Sequence, residues 1–414
     1  MSAKPSLLFV SGRYLIPADS GGKIRTSDVL RGLKGGAFSV TLASPAPDGA
    51  SGRDAALLEK LCDRFVAWPE PRRSPLFPYL RLAHLANPLP ISVATDKSPA
   101  GRRVVADELA RNPDVVVIDF PHTAVLLPGP PKTASVMFTH NVEAEIFHRH
   151  AEKAEGLLHR LVWRNQARKM ENFERAMLGL FDKVVAVSER DRAFFADSFG
   201  LASVEAIPTG VDLRYFSAQP PRPRPDPQGG TLVFTGSMDW RANIEGIEYF
   251  MEEVWPLITR ERPQAQFVAV GKNPPAALVD AVKKKNLNWK ITGFVDDVRP
   301  YVRDADVFVM PLRIGGGTRI KTFEAMAMGR PVVSTTLGVE GLPIEAGRHY
   351  LRGDDAGAFA AAVTGLLADP AKALRLAADA RTLVEDNFSA SRVAAVFESI
   401  CEGAMRERSS QRAA

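Results

Sequence analysis

The 414-residue chain has only two cysteines, Cys62 and Cys401. That count excludes a disulfide framework and any cysteine-rich metal site, and makes a reducing cytosolic compartment the expected setting. Long apolar runs are missing too. The first, Leu7 to Val10, is far shorter than a signal h-region, and no run approaches the ~20 residues of a membrane-spanning helix. The chain therefore reads as soluble or peripherally bound. Charge of one sign is scarce as well: 53 Lys+Arg against 48 Asp+Glu leave a formal +5, with a pI of about 9.2. So mild an excess suits anionic ligands or an anionic membrane surface and is too diffuse to argue nucleic acid. What is present is average globular composition, 45% hydrophobic and 24% charged. The length suits two domains of roughly 200 residues each.

Short apolar runs occur at Leu7–Val10, Val40–Leu42, Val115–Ile118, Val136–Phe138 and Val184–Val187. Continuous rather than alternating hydrophobicity marks strands buried on both faces, as in a parallel sheet covered by helices. Residues 217–229, SAQPPRPRPDPQG, carry five prolines and almost nothing apolar, which reads as a proline-stiffened linker. The pattern then restarts at Leu232–Phe234, Phe267–Val270, Val307–Met310 and Val332–Val333. The expected architecture is α/β, with two doubly wound Rossmann-like domains facing each other across a cleft. Their expected spans are 1–216 and 230–388, with a helix over 389–414 crossing back to the first domain.

Residues 311–335, PLRIGGGTRIKTFEAMAMGRPVVST, are the most informative stretch. Gly315 to Gly317 open onto a helix carrying Arg319, Lys321 and Glu324, and Gly329 stops it. A glycine turn at a helix N-terminus lets backbone N–H groups approach an anion. The two cations and the carboxylate can hold a diphosphate and a ribose; the bland reading is an exposed Lys321–Glu324 ion pair. Near the N-terminus, Gly21-Gly22 lie between the first strand and a helix, so a second glycine turn can face the first or merely shape a loop. His140 ends the strand of MFTHN. A histidine there can act as an acid/base or bond a substrate hydroxyl, or it can cap a helix or sit in the core. Gly236 and Ser237 leave the first strand of the second half. Asp304-Ala305-Asp306 has the form of a metal-binding DxD, but directly precedes Val307-Phe308-Val309 and reads better as a helix-to-strand corner.

In order and spacing, several elements resemble the family-4 retaining glycosyltransferases of the GT-B fold. They are Gly21-Gly22, the His140 strand, VVAVSE, IPTGVD, FTGSMDW, GFVDDVRPYVRDADVFVMP and TFEAMAMGRPVV. The resemblance spans nearly the whole chain. It implies a retaining, metal-independent transfer of a sugar from a UDP- or GDP-linked donor to an acceptor hydroxyl, with no cofactor. The acceptor is expected to be a carbohydrate or a lipid-linked molecule, in surface polysaccharide or glycolipid synthesis. Carried over by position, Glu324 matches the glutamate that holds the ribose, and Gly21 and Gly22 the loop beside the diphosphate and sugar. His140 matches the histidine near the reacting centre, making it the catalytic candidate. Phe294 and Val295 lie in the loop beside the base. Donor contacts are also expected from Gly236, Ser237, Gly316, Gly317, Thr318, Arg319 and Lys321.

Two departures from the family pattern stand out. Its earlier glutamate, which contacts the donor sugar, is Gly316 here. The lysine that follows the first strand of the second domain falls near Asn243, and Ser237 follows Gly236, so Arg319 and Lys321 are inferred to supply the missing charge. A basic stripe, Arg160, Arg164 and Arg168 with Trp163 and Lys169 beside it, and the segment 72–85 with aromatics among cations, suit an anionic lipid surface or a solvated face. A cytoplasmic protein at the inner face of the membrane is the corresponding expectation. The rival readings are a nucleotide-sugar 2-epimerase of the same fold and a non-catalytic nucleotide-sugar-binding protein, the latter motivated by Gly316.

Overall fold

In the computed structural model, residues 4–70, 77, 81, 83–154, 156–208, 210–218, 229–314 and 319–413 are described. Gly316, Gly317 and Thr318, most of the 217–229 linker and most of the 72–85 segment lie outside the described residues.

The apolar runs become strands buried on both faces. Seven make the first sheet: β1 (Ser6–Ser11), β2 (Ser39–Ala46), β3 (Arg64–Pro69), β4 (Val115–Asp119), β5 (Ala134–Phe138), β6 (Lys183–Ala186) and β7 (Val204–Ala206). All pairings are parallel, in the order β3-β2-β1-β4-β5-β6-β7. Because successive side chains point to opposite faces, each run feeds two cores. Leu7 and Phe9 pack on one side with Val115 and Val117, while Leu8 and Val10 pack on the other with Val116 and Ile118.

The second sheet has six parallel strands: β8 (Gly229–Thr235), β9 (Gln264–Val270), β10 (Trp289–Ile291), β11 (Val307–Met310), β12 (Val332–Ser334) and β13 (Leu351–Arg352). Their order is β10-β9-β8-β11-β12-β13. In each sheet the strand order reverses once, at β1/β4 and at β8/β11, and sheets of this kind bind ligands at the carboxyl ends of the strands beside such a reversal.

The chain divides into two units, residues 1–209 with 391–414, and residues 210–390. The first unit ends earlier than the expected 216, because Val211 belongs to the second core and bridges to Ser389, with Leu213 and Phe216 packed beside it. The closing helix, Ala390–Ala413, carries Val393, Phe397 and Ile400 into the core of the first unit. Phe397 meets Phe138 edge-on at 5.1 Å, and Glu398 accepts the Ala37 N–H at 2.6 Å.

At the Asp304–Asp306 corner both carboxylates are engaged within the fold. Asp306 Oδ2 accepts the Thr231 N–H at 2.8 Å, and Asp304 Oδ1 accepts Arg303 Nε at 2.9 Å. Among the described residues, no helix is long and apolar enough to cross a membrane.

Candidate functional site

In the second unit, four groups meet at the carboxyl end of β8. Gly236 leaves the strand, its N–H bonded to the Val270 carbonyl at 2.8 Å. The helix Arg241–Tyr249 brings in Asn243, whose Nδ2 donates to the Ser237 carbonyl at 2.7 Å. From the helix Ile320–Ala327, Lys321 delivers its Nζ to Asn243 Oδ1 at 3.0 Å, 4.6 Å above the centre of the Phe234 ring. Gly236 is needed for this convergence: a Cβ there would stand 2.5 Å from Lys321 Nζ and 2.8 Å from Asn243 Nδ2. Lys321 is half-buried. Burial pulls its ammonium down to about 7; nearby Arg319 adds to the effect and Glu324 opposes it. A cation held this far below its ordinary range gains strongly from an anion placed beside it.

Arg319 is the N-cap residue of the Ile320–Ala327 helix rather than part of it, and is 2% exposed. Burial lowers its guanidinium as well, against the pull of Glu340, yet a guanidinium stays charged. Phe323, Met326 and Ala327 anchor the helix in the core, which leaves Lys321 and half-buried Glu324 on its opposite side. The stop at Gly329 has a physical cause: its φ is +69°, its N–H reaches the Met326 carbonyl and the Arg330 N–H reaches the Ala325 carbonyl, a Schellman closure. Ser237 Oγ turns away to Asp239 Oδ1 at 2.6 Å, so Ser237 offers its backbone rather than its hydroxyl to this corner. Phe294 is 72% exposed after Gly293 at φ +71°, whereas Val295 packs against the core.

The first unit gathers a second polar cluster. Gly21 and Gly22 are the opening residues of the helix Gly21–Leu33, whose next turn carries Arg25 and Thr26 inward. His140, two residues past β5, is 3% exposed. Its Nε2 lies 2.7 Å from Asp119 Oδ1 and its Nδ1 3.3 Å from Arg25 Nη1. Arginine only donates, so Nδ1 accepts and the proton sits on Nε2, facing the carboxylate. Burial lowers the imidazole below its ordinary range, with Arg25 and Arg13 adding to the effect and Asp119 opposing it. The ring is therefore neutral. Asp119 also accepts Thr26 Oγ1 at 3.0 Å and Ser11 Oγ at 2.8 Å. Phe120 stacks on His140 at 4.0 Å from a backbone φ of +68°, which bulky residues avoid. A Cβ on Gly22 would come within 2.8 Å of that ring.

The structure thus brings Gly236, Ser237, Lys321 and Asn243 together, with Arg319 and Glu324 on or beside the same helix, and separately gathers Gly22 and His140. Ser11, Arg25, Thr26 and Asp119 were missed from the sequence. Asp119 ends the apolar run VVVID at the β1/β4 reversal, the one signal that points to it.

These features agree with comparisons to known proteins. The pattern of the Glycosyltransferase Family 4 matches residues 20–215, and that of the glycosyl transferases group 1 matches residues 229–369. A phosphatidyl-myo-inositol mannosyltransferase of Mycolicibacterium smegmatis is 30% identical over 190 residues, 45% of this chain and 48% of that protein. The match thus spans about half the length of that relative. Among solved structures, Anabaena HepE in complex with UDP gives a TM-score of 0.64 at 14% identity, covering 96% of this chain and 100% of that one. TarM gives 0.66 at 11% identity, covering 95% and 98%. The fold is GT-B, and the chain belongs to the family-4, group 1 glycosyltransferases.

Proposed function

We propose that this family-4 glycosyltransferase moves a sugar from a nucleoside diphosphate to an acceptor hydroxyl with retention of the anomeric configuration. The observation that carries this reading is the Lys321 ammonium held at Asn243, beside the Gly236 backbone and one helical turn from Glu324. In this reading Lys321 and Arg319 compensate the charge that develops on the departing diphosphate, and fixed cations in a water-poor site do so without reorganisation. Two such groups make a divalent ion unnecessary. Glu324 accepts the ribose hydroxyls, and the exposed loop at Phe294–Val295 lies beside the base.

His140 enters as a positioning residue. Both ring nitrogens are engaged, by Asp119 and Arg25, so it orders the buried polar cluster behind the helix that opens at Gly21–Gly22 rather than shuttling a proton.

A glycolipid acceptor fits the mycobacterial relative, a phosphatidyl-myo-inositol mannosyltransferase. It also fits the surface of the helix Leu157–Leu178, where Leu157, Leu158 and Leu161 are 79%, 76% and 62% exposed beside Arg160 and Arg164. Trp163 does not join them, since it packs between Phe147 and His150. Lys169 is also diverted, donating to the carbonyls of Leu85 and Asn87 at 2.7 Å each. Exposed leucines beside arginines suit an anionic bilayer surface.

The test is transfer from a panel of UDP- and GDP-sugars in the presence of a chelator, with the anomeric configuration of the product read by NMR. An inverted product, or activity restored only by metal, contradicts the reading. Free epimerised nucleotide sugar without acceptor supports the epimerase alternative instead.

A further inference from the structure

The second unit holds a cavity of about 370 Å³ that none of the roles above uses. Its lining includes Arg313, Thr335, Thr336, Glu340 and Asp354. These residues follow β11, β12 and β13, so the cavity opens at the same carboxyl edge of the sheet from which Gly236 leaves β8. Its volume falls in the range of small-ligand sites.

Most of its polar groups are already spoken for. The Arg313 guanidinium pairs with Glu245 at 2.7 Å and with Glu253 at 3.3 Å, and lies over the Tyr249 ring. Thr335 Oγ1 donates to the Leu312 carbonyl at 2.5 Å and accepts the Gly338 N–H at 2.9 Å. Asp354 accepts both the N–H and the hydroxyl of Thr336, at 2.6 and 2.8 Å. Glu340 differs. It is exposed, and among the described residues its carboxylate forms no hydrogen bond or ion pair; its electrostatic neighbour is the buried guanidinium of Arg319.

That neighbour locates it. Under the proposed function Arg319 belongs to the diphosphate, and the transferred sugar hangs from the diphosphate by one glycosidic oxygen. A carboxylate beside Arg319, opening into a cavity, stands where sugar hydroxyls arrive.

We propose that Glu340 is the carboxylate that accepts hydrogen bonds from the hydroxyls of the transferred sugar, with the cavity bordered by Thr336 and Asp354 as the sugar subsite. This rests on the diphosphate assignment in the proposed function. A site built to bond a hydroxyl discriminates against a donor that lacks it, so Glu340 also sets which sugar is accepted.

The test compares wild type, Glu340→Gln and Glu340→Ala by calorimetry against UDP, GDP, UDP-glucose, UDP-N-acetylglucosamine and GDP-mannose. Retained binding of the bare nucleoside diphosphate reports that each variant is folded. The expected result is nucleoside diphosphate affinity within about twofold of wild type, with the best nucleotide sugar weakened by about tenfold or more in Glu340→Ala and by less in Glu340→Gln. Equal losses for both ligand classes would make Glu340 a support for Arg319 and overturn the proposal. Unchanged affinity for both overturns it too, while leaving the diphosphate assignment standing. If wild type binds none of the five, the proposed function itself falls, and this inference with it. Should Glu340→Ala fail to fold, Glu340→Gln decides by the same split.

Discussion

Lys321 Nζ sits 3.0 Å from Asn243 Oδ1, although the two residues are 78 positions apart and lie on different helices. The family resemblance implies a lysine near position 243 itself. Here an asparagine occupies that position and receives the ammonium from the glycine-rich helix, so the charge returns to the carboxyl end of β8 by another route. Asn243 has a second task, because its Nδ2 holds the Ser237 carbonyl. One amide thereby orients both the cation and the backbone turn next to it.

The Lys321 ammonium, pulled down to about 7, makes nucleotide binding a proton-linked event. Free protein loses this proton above about pH 7, and a bound diphosphate restores it. Affinity should therefore be insensitive to this group below pH 6 and fall with rising pH above 7. Calorimetry of UDP or GDP in buffers of different ionisation enthalpy should show proton uptake approaching one at pH 8. In Lys321→Met the uptake should vanish and affinity become flat across the same range. Uptake that persists in the variant assigns the proton to another group.

Glu324→Ala should weaken nucleoside diphosphate binding by about 1.5–3 kcal/mol, the loss of hydroxyl bonds to a carboxylate. Thermal unfolding should barely change, because Glu324 lies on the half-exposed side of its helix and the core face is untouched. Inorganic diphosphate should bind the variant as it binds wild type. Equal losses for diphosphate and nucleoside diphosphate contradict the ribose assignment.

Two glycines at the same corner should fail differently. A Cβ at Gly236 meets the far end of the Lys321 side chain and the Asn243 amide, both of which can shift, so Gly236→Ala should fold and lose diphosphate affinity. A Cβ at Gly271 overlaps the Gly236 carbonyl oxygen, which belongs to the backbone and cannot step aside. Gly271→Ala should give little soluble protein or a sharply lower Tm. A stable Gly271→Ala with normal binding contradicts this packing.

His140→Ala should affect turnover and stability together while leaving nucleoside diphosphate affinity within about twofold, since that ligand is assigned to the other unit. Removing the Nε2 donor leaves Asp119 short of a partner in a buried site, at a cost of about 1–3 kcal/mol. The folded imidazole resists protonation, so below pH 6.5 the unfolded chain takes up a proton that the folded chain does not. The stabilising effect is complete above pH 6.5 and is lost as pH falls below it. His140→Ala should flatten that part of the stability curve. Full activity at normal stability excludes any role for this residue.

Replacing Leu157, Leu158 and Leu161 together with serine should reduce co-sedimentation with vesicles containing anionic lipid, with little effect on Tm because all three are exposed. Neutral vesicles should recover less protein than anionic ones, and added salt should weaken the difference. Equal recovery of variant and wild type removes this helix from any membrane contact.

The strands show where sequence reading succeeds and stops. Every expected apolar run lies in a strand, save Val187, one residue beyond β6. The four strands with no such signal, β3, β7, β10 and β13, are the outer strands of the two sheets. An edge strand has one neighbour and is only partly covered, so it needs no continuous apolar run. Half-buried Trp289 and Ile291 flanking exposed Lys290 show this directly. The first unit ends at 209 rather than 216, and nothing local marks Val211 as part of the second unit. Its pairing with Ser389 decides the matter.

By itself, the sequence determined what depends on local chemistry. Apolar runs made parallel strands, Gly329 stopped a helix through its positive φ, and the motifs in order marked the family and the charged helix at 320–327. Tertiary structure alone decided what depends on chain segments far apart meeting. It delivered Lys321 to Asn243, buried His140 between Asp119 and Arg25 so that the ring is neutral, and set Trp163 against Phe147 and His150. A side chain's charge state and accessibility are set by neighbours and by excluded water. Neither is a property of the residue's own stretch of sequence.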